Sequence, residues 1–312
     1  MDSRKGMDWR LRTRTLMLGQ RTRVMGVVNI TPDSFSDGGS YFAPEAAVEH
    51  ALALLDEGAD LLDLGAESTR PGSPAGGDAP AVSPDEEQAR LLPVLEGILK
   101  ARPDTIISVD TYKAATARAA LSAGAEIVND VSGLTWDAEM ASVCSASGTG
   151  VVLMHTRGTP AEWSTQPPIG PDAVFELVRS GLANSLALAA AAGIAAEALV
   201  LDPGYGFGKR DGENYALLAR QAELLSLGRP LMAGVSRKSF LAHKLAKARG
   251  ECNGVQAPKE ARENASLAAM TAAILGGASI VRVHAVRAAV DAARVADSIL
   301  GALAVPVSKE MV

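Results

Sequence analysis

Polar and charged side chains occur repeatedly in this sequence directly after short apolar runs. In the first case Asn29 ends the run that begins at Val24, and a segment rich in Gly, Ser and Asp follows it. The later runs end at Gly65 with Glu67, Asp110, Asn129, Met154 with His155, Asp202, Ser236 with Lys238, and Arg282 with His284. Taken alone, Asp110 or Asp202 could be the N-cap of the following helix, and Asn129 could be a hydrogen-bonded turn residue. A series of about seven at equivalent positions favours one shared polar site instead.

Three of these side chains suit a flat heterocycle. Asp110 and Asp202 offer carboxylates that accept from two adjacent N–H donors, and the Asn129 amide matches a donor and an acceptor together. Such a set discriminates strongly, because a wrong ligand would leave buried polar groups unpaired. The positive charges of Lys238 and Arg282 suit a carbonyl group, a ring nitrogen or an anion. These residues therefore predict a ligand with an amidine-like edge.

A second set of residues suits an anion. Its members are Thr69-Arg70-Pro71-Gly72 in a long loop, Ser236-Arg237-Lys238-Ser239 at the start of a helix, and Arg282 and His284 after the last apolar run. Hydroxyls and free N–H groups at a helix N-terminus bind phosphate or carboxylate. For Arg237 alone, a surface salt bridge is the simpler interpretation. For His155 alone, a hydrogen-bonded structural role is the simpler one.

The sequence contains no cluster with the spacing of a metal site built from protein ligands only. Any divalent ion would therefore be Mg²⁺ held mostly by phosphate and water, with Asn29 and Asp33 as protein oxygens. Phe35 and Phe207, two of the five Phe residues, lie in loops and either cover a flat ligand or pack beneath the loop. The Gly-rich stretch Asp202–Lys209 lets backbone approach a ligand, but it lacks the Ser or Thr that follows Lys in a P-loop.

The apolar runs must be strands that bring their polar ends together. Eight such runs begin with the one at Val24, and a helical pattern follows each of them. This alternation predicts an α/β protein, a (β/α)8 TIM barrel in which the carboxyl ends of the strands meet at one mouth. The alternative is an open doubly wound sheet, whose usual Gly-x-Gly-x-x-Gly fingerprint is missing here.

The residues before the barrel predict an extension that contains a β-hairpin. Thr13–Leu18 and Arg21–Val28 are extended runs on either side of Gly19-Gln20, the pattern of two strands joined by a tight turn. The expected organisation is an N-terminal extension and hairpin over residues 1–23, a single barrel over 24–304 and a C-terminal tail over 305–312.

Composition and charge exclude several classes of protein. The 312 residues are 47% hydrophobic and 21% charged with a net charge of −6, which predicts no nucleic-acid partner. No run approaches the roughly 18 apolar residues of a membrane span, and the Ala-rich Leu182–Ile194 fits an outer helix. The basic segment Met1–Arg14 lacks the apolar core of a signal peptide. With only two cysteines, Cys144 and Cys252, these features predict a cytoplasmic protein with reduced thiols and no membrane partner.

Several long motifs resemble those of one known family. They are Met25–Gly39 (MGVVNITPDSFSDGG), Glu67–Gly72 (ESTRPG), Ser108–Lys113, Asn129–Gly133, Asp202–Lys209 and Gly234–Ser239. In this order they resemble the motifs of dihydropteroate synthases, and the resemblance extends from about Val24 to Leu300. Known members are (β/α)8 barrels, so the resemblance implies that fold and a homodimer formed through late helices.

The resemblance implies a reaction as well. In this reaction para-aminobenzoate condenses with 6-hydroxymethyl-7,8-dihydropterin pyrophosphate to give 7,8-dihydropteroate and pyrophosphate, with Mg²⁺ as cofactor. It is a step of folate biosynthesis and the target of sulfonamides. The implied mechanism is an SN1-like loss of pyrophosphate without a covalent enzyme intermediate. The loops 30–43 and 66–83 are then expected to close over the bound pterin.

The resemblance also implies roles for individual residues, matched motif by motif. The pterin is expected to contact Asp110, Asn129, Met154, Asp202 and Lys238. Pyrophosphate is expected to contact Asn29, Thr69, Arg70, Arg282 and His284, with Asn29 also a ligand of Mg²⁺. Para-aminobenzoate is expected to contact Phe35, Thr69, Pro71, Phe207, Lys238 and Ser239. The catalytic residues are expected to be Lys238, Arg282, Asp110 and Asp202.

The chain departs from the family pattern at a few positions. Ala66 stands where a Gly is common, Tyr205 where an aliphatic residue is common, and Thr156-Arg157 where Met-Gln usually follows the histidine. The loop 161–171 also looks divergent. None of these positions carries an implied role, but Tyr205 is expected to change the shape of the loop after Asp202.

Two alternative functions share part of this pattern. A pterin-binding methyltransferase domain passes a methyl group from a methylated folate to a corrinoid partner. It would share the pterin-edge residues without needing Glu67–Gly72 or Ser236-Arg237-Lys238. A non-catalytic homologue that binds pterins or partners would not need intact loop motifs. The chain contains both Glu67–Gly72 and Ser236-Arg237-Lys238, and their presence favours the synthase.

Overall fold

The chain forms an antiparallel hairpin followed by a closed barrel of eight parallel strands. The computed structural model describes residues 4–31, 44–69, 75, 82–248 and 258–304. The hairpin strands are β1 (Met7–Arg10) and β2 (Thr15–Leu18). The barrel strands are β3 (Arg23–Asn29), β4 (Leu61–Gly65), β5 (Ile107–Asp110), β6 (Ile127–Asp130), β7 (Gly150–Met154), β8 (Leu199–Asp202), β9 (Leu231–Ala233) and β10 (Ala278–Val283). The strands follow one another in chain order and β10 pairs with β3, which confirms the predicted (β/α)8 barrel.

Helices separate the barrel strands along the chain. They are α1 (Pro44–Asp56), α2 (Pro84–Ala101), α3 (Ala114–Ser122), α4 (Met140–Ser147), α5 (Pro171–Ala191), α6 (Asp211–Ala219), α7 (Ser239–Ala248), α8 (Lys259–Leu275) and α9 (Val286–Ala304). The start of α2 shows the local cause, because Pro84 occupies the first turn and the Ser83 hydroxyl accepts from Glu86 N at 3.2 Å.

The hairpin is present, but its predicted pairing is wrong. β2 pairs with β1, with Met7 opposite Leu18 and Arg10 opposite Thr15, whereas β3 pairs with β4 and β10 inside the barrel. Gly19 does lie at a bend, with φ of +94°, but the chain there passes from the hairpin into the barrel. Because β3 is buried on both faces, neighbouring barrel strands take both of its edges and β2 must pair elsewhere.

The hairpin closes the amino-terminal end of the barrel. Trp9, Leu11 and Leu18 are buried in one cluster with barrel residues that include Met25 and Ile127. The indole N–H of Trp9 donates to the carbonyl of Ala198, 2.9 Å away, so the one polar group of this side chain is paired. The opposite, carboxyl-terminal end of the barrel is therefore the end available to a ligand.

One outer helix is long and apolar enough to cross a membrane by length and composition alone. Within the part of the chain that the structure describes, α5 is the helix that meets this test. Its buried residues Phe175, Val178 and Leu182 belong to the main core between strands and helices. This packing agrees with the expected outer helix.

Candidate active site

The strand register brings the predicted polar residues together at the carboxyl end of the barrel. Asp110 of β5 lies directly opposite Asn129 of β6, and Met154 of β7 lies opposite Asp202 of β8. Neither aspartate caps a helix, since α3 begins after Lys113 and α6 after Arg210. The helix-cap interpretation of these two carboxylates is therefore wrong.

A fully buried carboxylate, Asp63 of β4, lies at the centre of this group. One of its oxygens, Oδ2, accepts from Asn129 Nδ2 at 3.0 Å and from Arg282 Nε at 2.5 Å. Arg282 uses a second nitrogen, Nη2, to donate to Asp110 Oδ2 at 2.7 Å. Its guanidinium thus joins two carboxylates through two separate donors. Asp63 Oδ1 is buried without a hydrogen-bond partner, which leaves an acceptor inside the site.

Charges in this group alter one another's protonation. Burial raises the pKa of Asp110 to about 7, with Asp63 and Glu87 adding to the effect and Arg282 opposing it. Burial alone would lower the pKa of Arg282, but Asp63 and Asp110 outweigh it and hold this pKa above its ordinary value. Arg282 therefore keeps its charge, while Asp110 can gain or lose a proton near neutral pH.

Lys238 follows β9 and extends toward the same pocket. Burial and the nearby charge of Arg282 lower the pKa of Lys238 to about 7, with Asp202 and Asp110 opposing them. Its ammonium group lies 3.8 Å from the centroid of the Phe207 ring, the distance of a cation–π contact. The structure thus brings together Lys238 and Phe207, which the sequence predicted for one substrate.

The Gly-rich loop after β8 is held by its last residue. The carboxylate of Asp202 accepts from Gly204 N at 2.7 Å, and burial raises the pKa of Asp202. The buried Lys209 donates to the carbonyls of His155, Gly204 and Phe207 at 3.0, 2.7 and 3.2 Å. Three carbonyl acceptors from two loops make Lys209 a structural clamp, which agrees with the rejection of the P-loop interpretation.

The side chain of His155 does not make the hydrogen bond expected of a structural histidine, because its ring Nδ1 is buried without a partner among the described residues. His155 is buried, and its backbone N–H donates to the Asp202 carbonyl at 3.0 Å. Burial, with a contribution from Lys209, holds the pKa of this imidazole well below its ordinary value. The ring therefore stays neutral near pH 7, and a role as a cationic ligand for an anion is excluded.

Several of the residues predicted to bind an anion lie near the ends of β9 and β10. His284 Nδ1 is 3.1 Å from Ser236 Oγ, so these two side chains are joined across neighbouring strands. Ser239 is exposed at the first position of α7, where helix N–H groups are available. Arg237 instead pairs with Glu263 at the surface, 2.7 Å from its Nε, as the simpler interpretation expected.

Some predicted site residues lie at or beyond the limit of the described residues. Asn29 ends β3 opposite Gly65 of β4, and Thr69 is half-buried in the loop that follows. Phe35, Arg70 and Pro71 lie outside the described residues, as do Asp33 and Cys252.

The described residues at the mouth of the barrel could hold a metal ion only if the substrate supplied most of its ligands. The described residues contain no group of three or more His, Cys, Asp or Glu side chains that could hold a metal. Asn29 offers a single amide oxygen at the strand end. Mg²⁺ usually keeps several waters and takes one or two protein oxygens beside substrate phosphates, and a lone Asn29 oxygen is compatible with that arrangement.

Known proteins resemble this chain in sequence and in fold. The family model described as "Pterin binding enzyme" matches residues 25–284. The dihydropteroate synthase of Mycobacterium leprae is 44% identical over 273 residues, which are 88% of this chain and 92% of that protein. A solved structure of Xanthomonas albilineans dihydropteroate synthase with 4-aminobenzoic acid is 40% identical with a TM-score of 0.82, covering 97% of this chain and 100% of that one.

The chain belongs to the dihydropteroate synthase family. It is therefore a transferase of folate synthesis. Two further structures have the same fold. The Xanthomonas albilineans enzyme with 7,8-dihydropteroate is 38% identical with a TM-score of 0.78, covering 96% and 100% of the two chains. The Yersinia pestis enzyme with a sulfonamide drug complex is 38% identical with a TM-score of 0.82, covering 95% and 100%.

Tyr205, a departure from the dihydropteroate synthase pattern, is fully buried and paired. Its hydroxyl donates to Gln221 Oε1 at 2.8 Å, and the Gln221 amide donates to the carbonyls of Ala273 and Gly276 at 2.8 and 3.1 Å. The extra hydroxyl therefore connects the loop after Asp202 to the end of α8 without leaving a buried polar group unpaired.

Two buried charged residues of the site were not predicted from the sequence. Asp63 is one, although a charged residue inside the apolar run Leu61–Leu64 was a visible signal. The other is Lys113, which is buried between Glu67 and Glu87; its ammonium lies 3.1 Å from Glu87 Oε2 and also contacts Glu67 Oε2. Since Glu67 begins the loop that carries Thr69, this ion pair anchors the base of that loop.

Proposed function

We propose that this synthase joins para-aminobenzoate to 6-hydroxymethyl-7,8-dihydropterin pyrophosphate, releasing pyrophosphate and 7,8-dihydropteroate. The observation that carries the proposal is the hydrogen-bonded group in which the buried Asp63 accepts from Asn129 and Arg282, while Arg282 also donates to Asp110. A pterin presents adjacent N–H donors that match this set and Asp202. The relatives whose structures hold 4-aminobenzoic acid and 7,8-dihydropteroate support this substrate and this product.

In this proposal the pterin lies across the mouth of the barrel. Asp110, Asn129 and Asp202 accept and donate along its polar edge, and Lys238 donates to the ring. Met154 supports the ring from below; its side chain packs in an apolar cluster with Tyr112 and Val131. Desolvated and pre-positioned partners make this recognition selective, because a ligand without the matching edge would leave several of them unpaired.

The proposed chemistry is an SN1-like displacement. The bond between the exocyclic carbon and the pyrophosphate oxygen breaks first, and both of its electrons leave with pyrophosphate. The pterin ring system stabilises the resulting cation. The amine nitrogen of para-aminobenzoate then forms the new C–N bond and loses a proton. Arg282, His284, Thr69 and Arg70 would stabilise the departing negative charge.

This chemistry requires no covalent intermediate on the enzyme. Within the described part of the chain, burial raises the pKa of the Cys144 thiol to about 12, so this cysteine is not a nucleophile near neutral pH. The second substrate would lie against Phe207 with Lys238 and Ser239 beside its carboxylate. Phe35, Thr69 and Pro71 would complete that pocket from the two loops.

Mg²⁺ is the proposed cofactor, with Asn29 as its protein ligand. When bound, the ion would neutralise charge on the pyrophosphate oxygens.

We also propose that the protein is a cytoplasmic homodimer. The exposed side chains Val295 and Ile299 of α9 lie one turn apart and support a contact through a late helix.

Pyrophosphate release tests the proposal. Purified protein is mixed with the pterin pyrophosphate, with and without para-aminobenzoate, and in Mg²⁺ or in excess chelator. We expect rapid release only when both para-aminobenzoate and Mg²⁺ are present. Release that depends on neither would reject the proposed reaction.

Substitutions in the proposed pterin pocket test where the pterin binds. We expect Asp110→Ala and Asp202→Ala to abolish pterin binding, measured by calorimetry. Asp56→Asn changes an exposed carboxylate at the end of α1 that pairs with Arg102 and serves as the control. Wild-type pterin affinity in either pocket variant would show that the pterin binds elsewhere.

A further inference from the structure

The segment 156–170 forms a side wall next to the Gly-rich loop after β8. At its start, Arg157 N donates to the Phe207 carbonyl at 3.3 Å. Near its end, Ile169 N donates to Glu213 Oε1 at 2.8 Å, while Glu213 Oε2 accepts from Arg210 N at 2.8 Å. The wall is therefore attached at both ends to the segment that carries Phe207.

Trp163 is the large side chain at the centre of this wall. It is 7% exposed, and its indole N–H donates to the Gly158 carbonyl at 3.0 Å. The turn that carries it is fixed by Glu162, whose Oε2 accepts from Thr159 N at 2.7 Å and from Thr159 Oγ1 at 3.0 Å. Both the ring and its backbone are thus held in one arrangement.

The indole ring packs edge-on against Phe207. The two ring centroids are 5.0 Å apart with an interplanar angle of 85°, the favoured geometry of an aromatic pair. Gly208 permits this approach: its φ is +70°, and a Cβ there would lie 2.4 Å from the Arg157 carbonyl oxygen and 3.0 Å from Trp163 Cδ1. With Lys238 Nζ 3.8 Å from its centroid, the Phe207 ring is held by Trp163 and by the Lys238 ammonium.

We propose that Trp163 is a positioning and specificity-determining residue for the aromatic amine substrate, acting through the Phe207 ring. The inference rests on the proposed function, in which para-aminobenzoate lies against Phe207. A ring fixed in place presents a flat surface to a planar arylamine without an ordering cost on binding. Loss of the indole edge would let Phe207 rotate and would weaken the fit to a flat benzene ring.

Steady-state kinetics test this role with two substitutions. Trp163→Met fills most of the space without a flat edge, whereas Trp163→Phe keeps an aromatic ring. We expect Trp163→Met to raise KM for para-aminobenzoate about three- to tenfold, the value of one aromatic pair. We expect kcat and KM for the pterin pyrophosphate to change less than about twofold, and Trp163→Phe to recover most of the loss.

A double-mutant cycle with Phe207→Leu distinguishes positioning from a general structural role. If Trp163 acts through Phe207, the double variant Trp163→Met with Phe207→Leu will have nearly the same KM for para-aminobenzoate as Phe207→Leu alone. Additive effects, or an unchanged KM in Trp163→Met, would overturn the inference. If thermal melting shows that Trp163→Met is unfolded, the same cycle is run with Trp163→Leu, which also lacks a flat aromatic edge.

The wild-type control separates failure of the proposed function from failure of the role of Trp163. Wild-type protein without para-aminobenzoate-dependent pyrophosphate release would reject the proposed function. An active wild type together with additive cycles would reject the role of Trp163 and leave the proposed function intact.

Discussion

At the scale of single residues, Asp63 organises the candidate site. A buried carboxylate is costly unless it is paired, and Asp63 has both a cationic and an amide partner on one oxygen. The same negative charge contributes to the raised pKa of Asp110. Asp63 therefore acts in two ways, by orienting Arg282 and Asn129 and by adding to the effect of burial on the pKa of Asp110.

The first prediction concerns the pH dependence of kcat/KM for the pterin substrate. Ionised Asp110 accepts pterin N–H groups, so activity will rise as pH increases to about 7, the pKa of Asp110. Lys238 loses its charge above about 7, so activity will fall again on the alkaline side. Asp63→Asn removes a like charge near Asp110 and will move the acid limb to lower pH.

Asp63→Asn will also lower kcat/KM at its pH optimum. Arg282 and Asn129 lose a charged acceptor worth about 1.5–3 kcal/mol, which corresponds to roughly a tenfold to a hundredfold fall in kcat/KM. Asp56→Asn, at an exposed carboxylate, should leave both the profile and the rate unchanged. An acid limb that stays in place in Asp63→Asn would show that Asp63 does not influence Asp110.

At the scale of elements, the hairpin and the barrel register have different tasks. The register of β5 with β6 and of β7 with β8 places polar residues side by side at the mouth. The hairpin instead buries Trp9, Leu11 and Leu18 against the far end of the barrel. The candidate site and the hairpin therefore lie at opposite ends of the barrel. A substitution in the hairpin should change stability without changing activity.

The second prediction tests that separation through Trp9. Trp9→Ala removes a fully buried ring and its hydrogen bond to Ala198, and it will lower the free energy of unfolding by about 3–5 kcal/mol in a denaturant titration. The specific activity of the remaining folded protein should not change. Met17→Ala, in the same hairpin but at a side chain that is 48% exposed, should cost less than about 0.5 kcal/mol. A similar loss of stability in both variants would contradict the end-closure role.

At the scale of the whole molecule, α9 carries two exposed apolar side chains one turn apart. Val295 is 61% exposed and Ile299 is 43% exposed, while Ala296 and Leu300 on the same helix are buried. Apolar side chains clustered on one helix face mark contact surfaces more often than isolated ones do. The proposed homodimer would cover this face with a second copy of the chain.

The third prediction is that charge on this face will separate the subunits. We expect wild type to sediment as a dimer and the double variant Val295→Glu with Ile299→Glu to sediment as a monomer. Leu188→Glu, on an exposed apolar residue of α5, should leave the dimer intact and is the matched control. A monomeric wild type, or a double variant that remains dimeric, would show that this face is not the subunit contact.

Much of the candidate site could be predicted from the sequence because its pattern is local. Asp110, Asn129 and Asp202 each follow an apolar run, and a parallel barrel gathers such strand ends at one mouth. The predicted pairing of the hairpin strands failed for the opposite reason. Thr13–Leu18 and Arg21–Val28 are both extended, but which strands pair is decided by competition for edges in the closed barrel.

Sequence patterns alone were enough to predict the eight strand–helix units, the polar strand ends and the family. These are properties of short segments and of their order along the chain. The tertiary structure alone decided that Asp63 meets Asn129 and Arg282, which lie 66 and 219 residues away, and that Trp163 packs against Phe207. Such contacts depend on barrel closure and strand register, since neither partner influences the local conformation of the other.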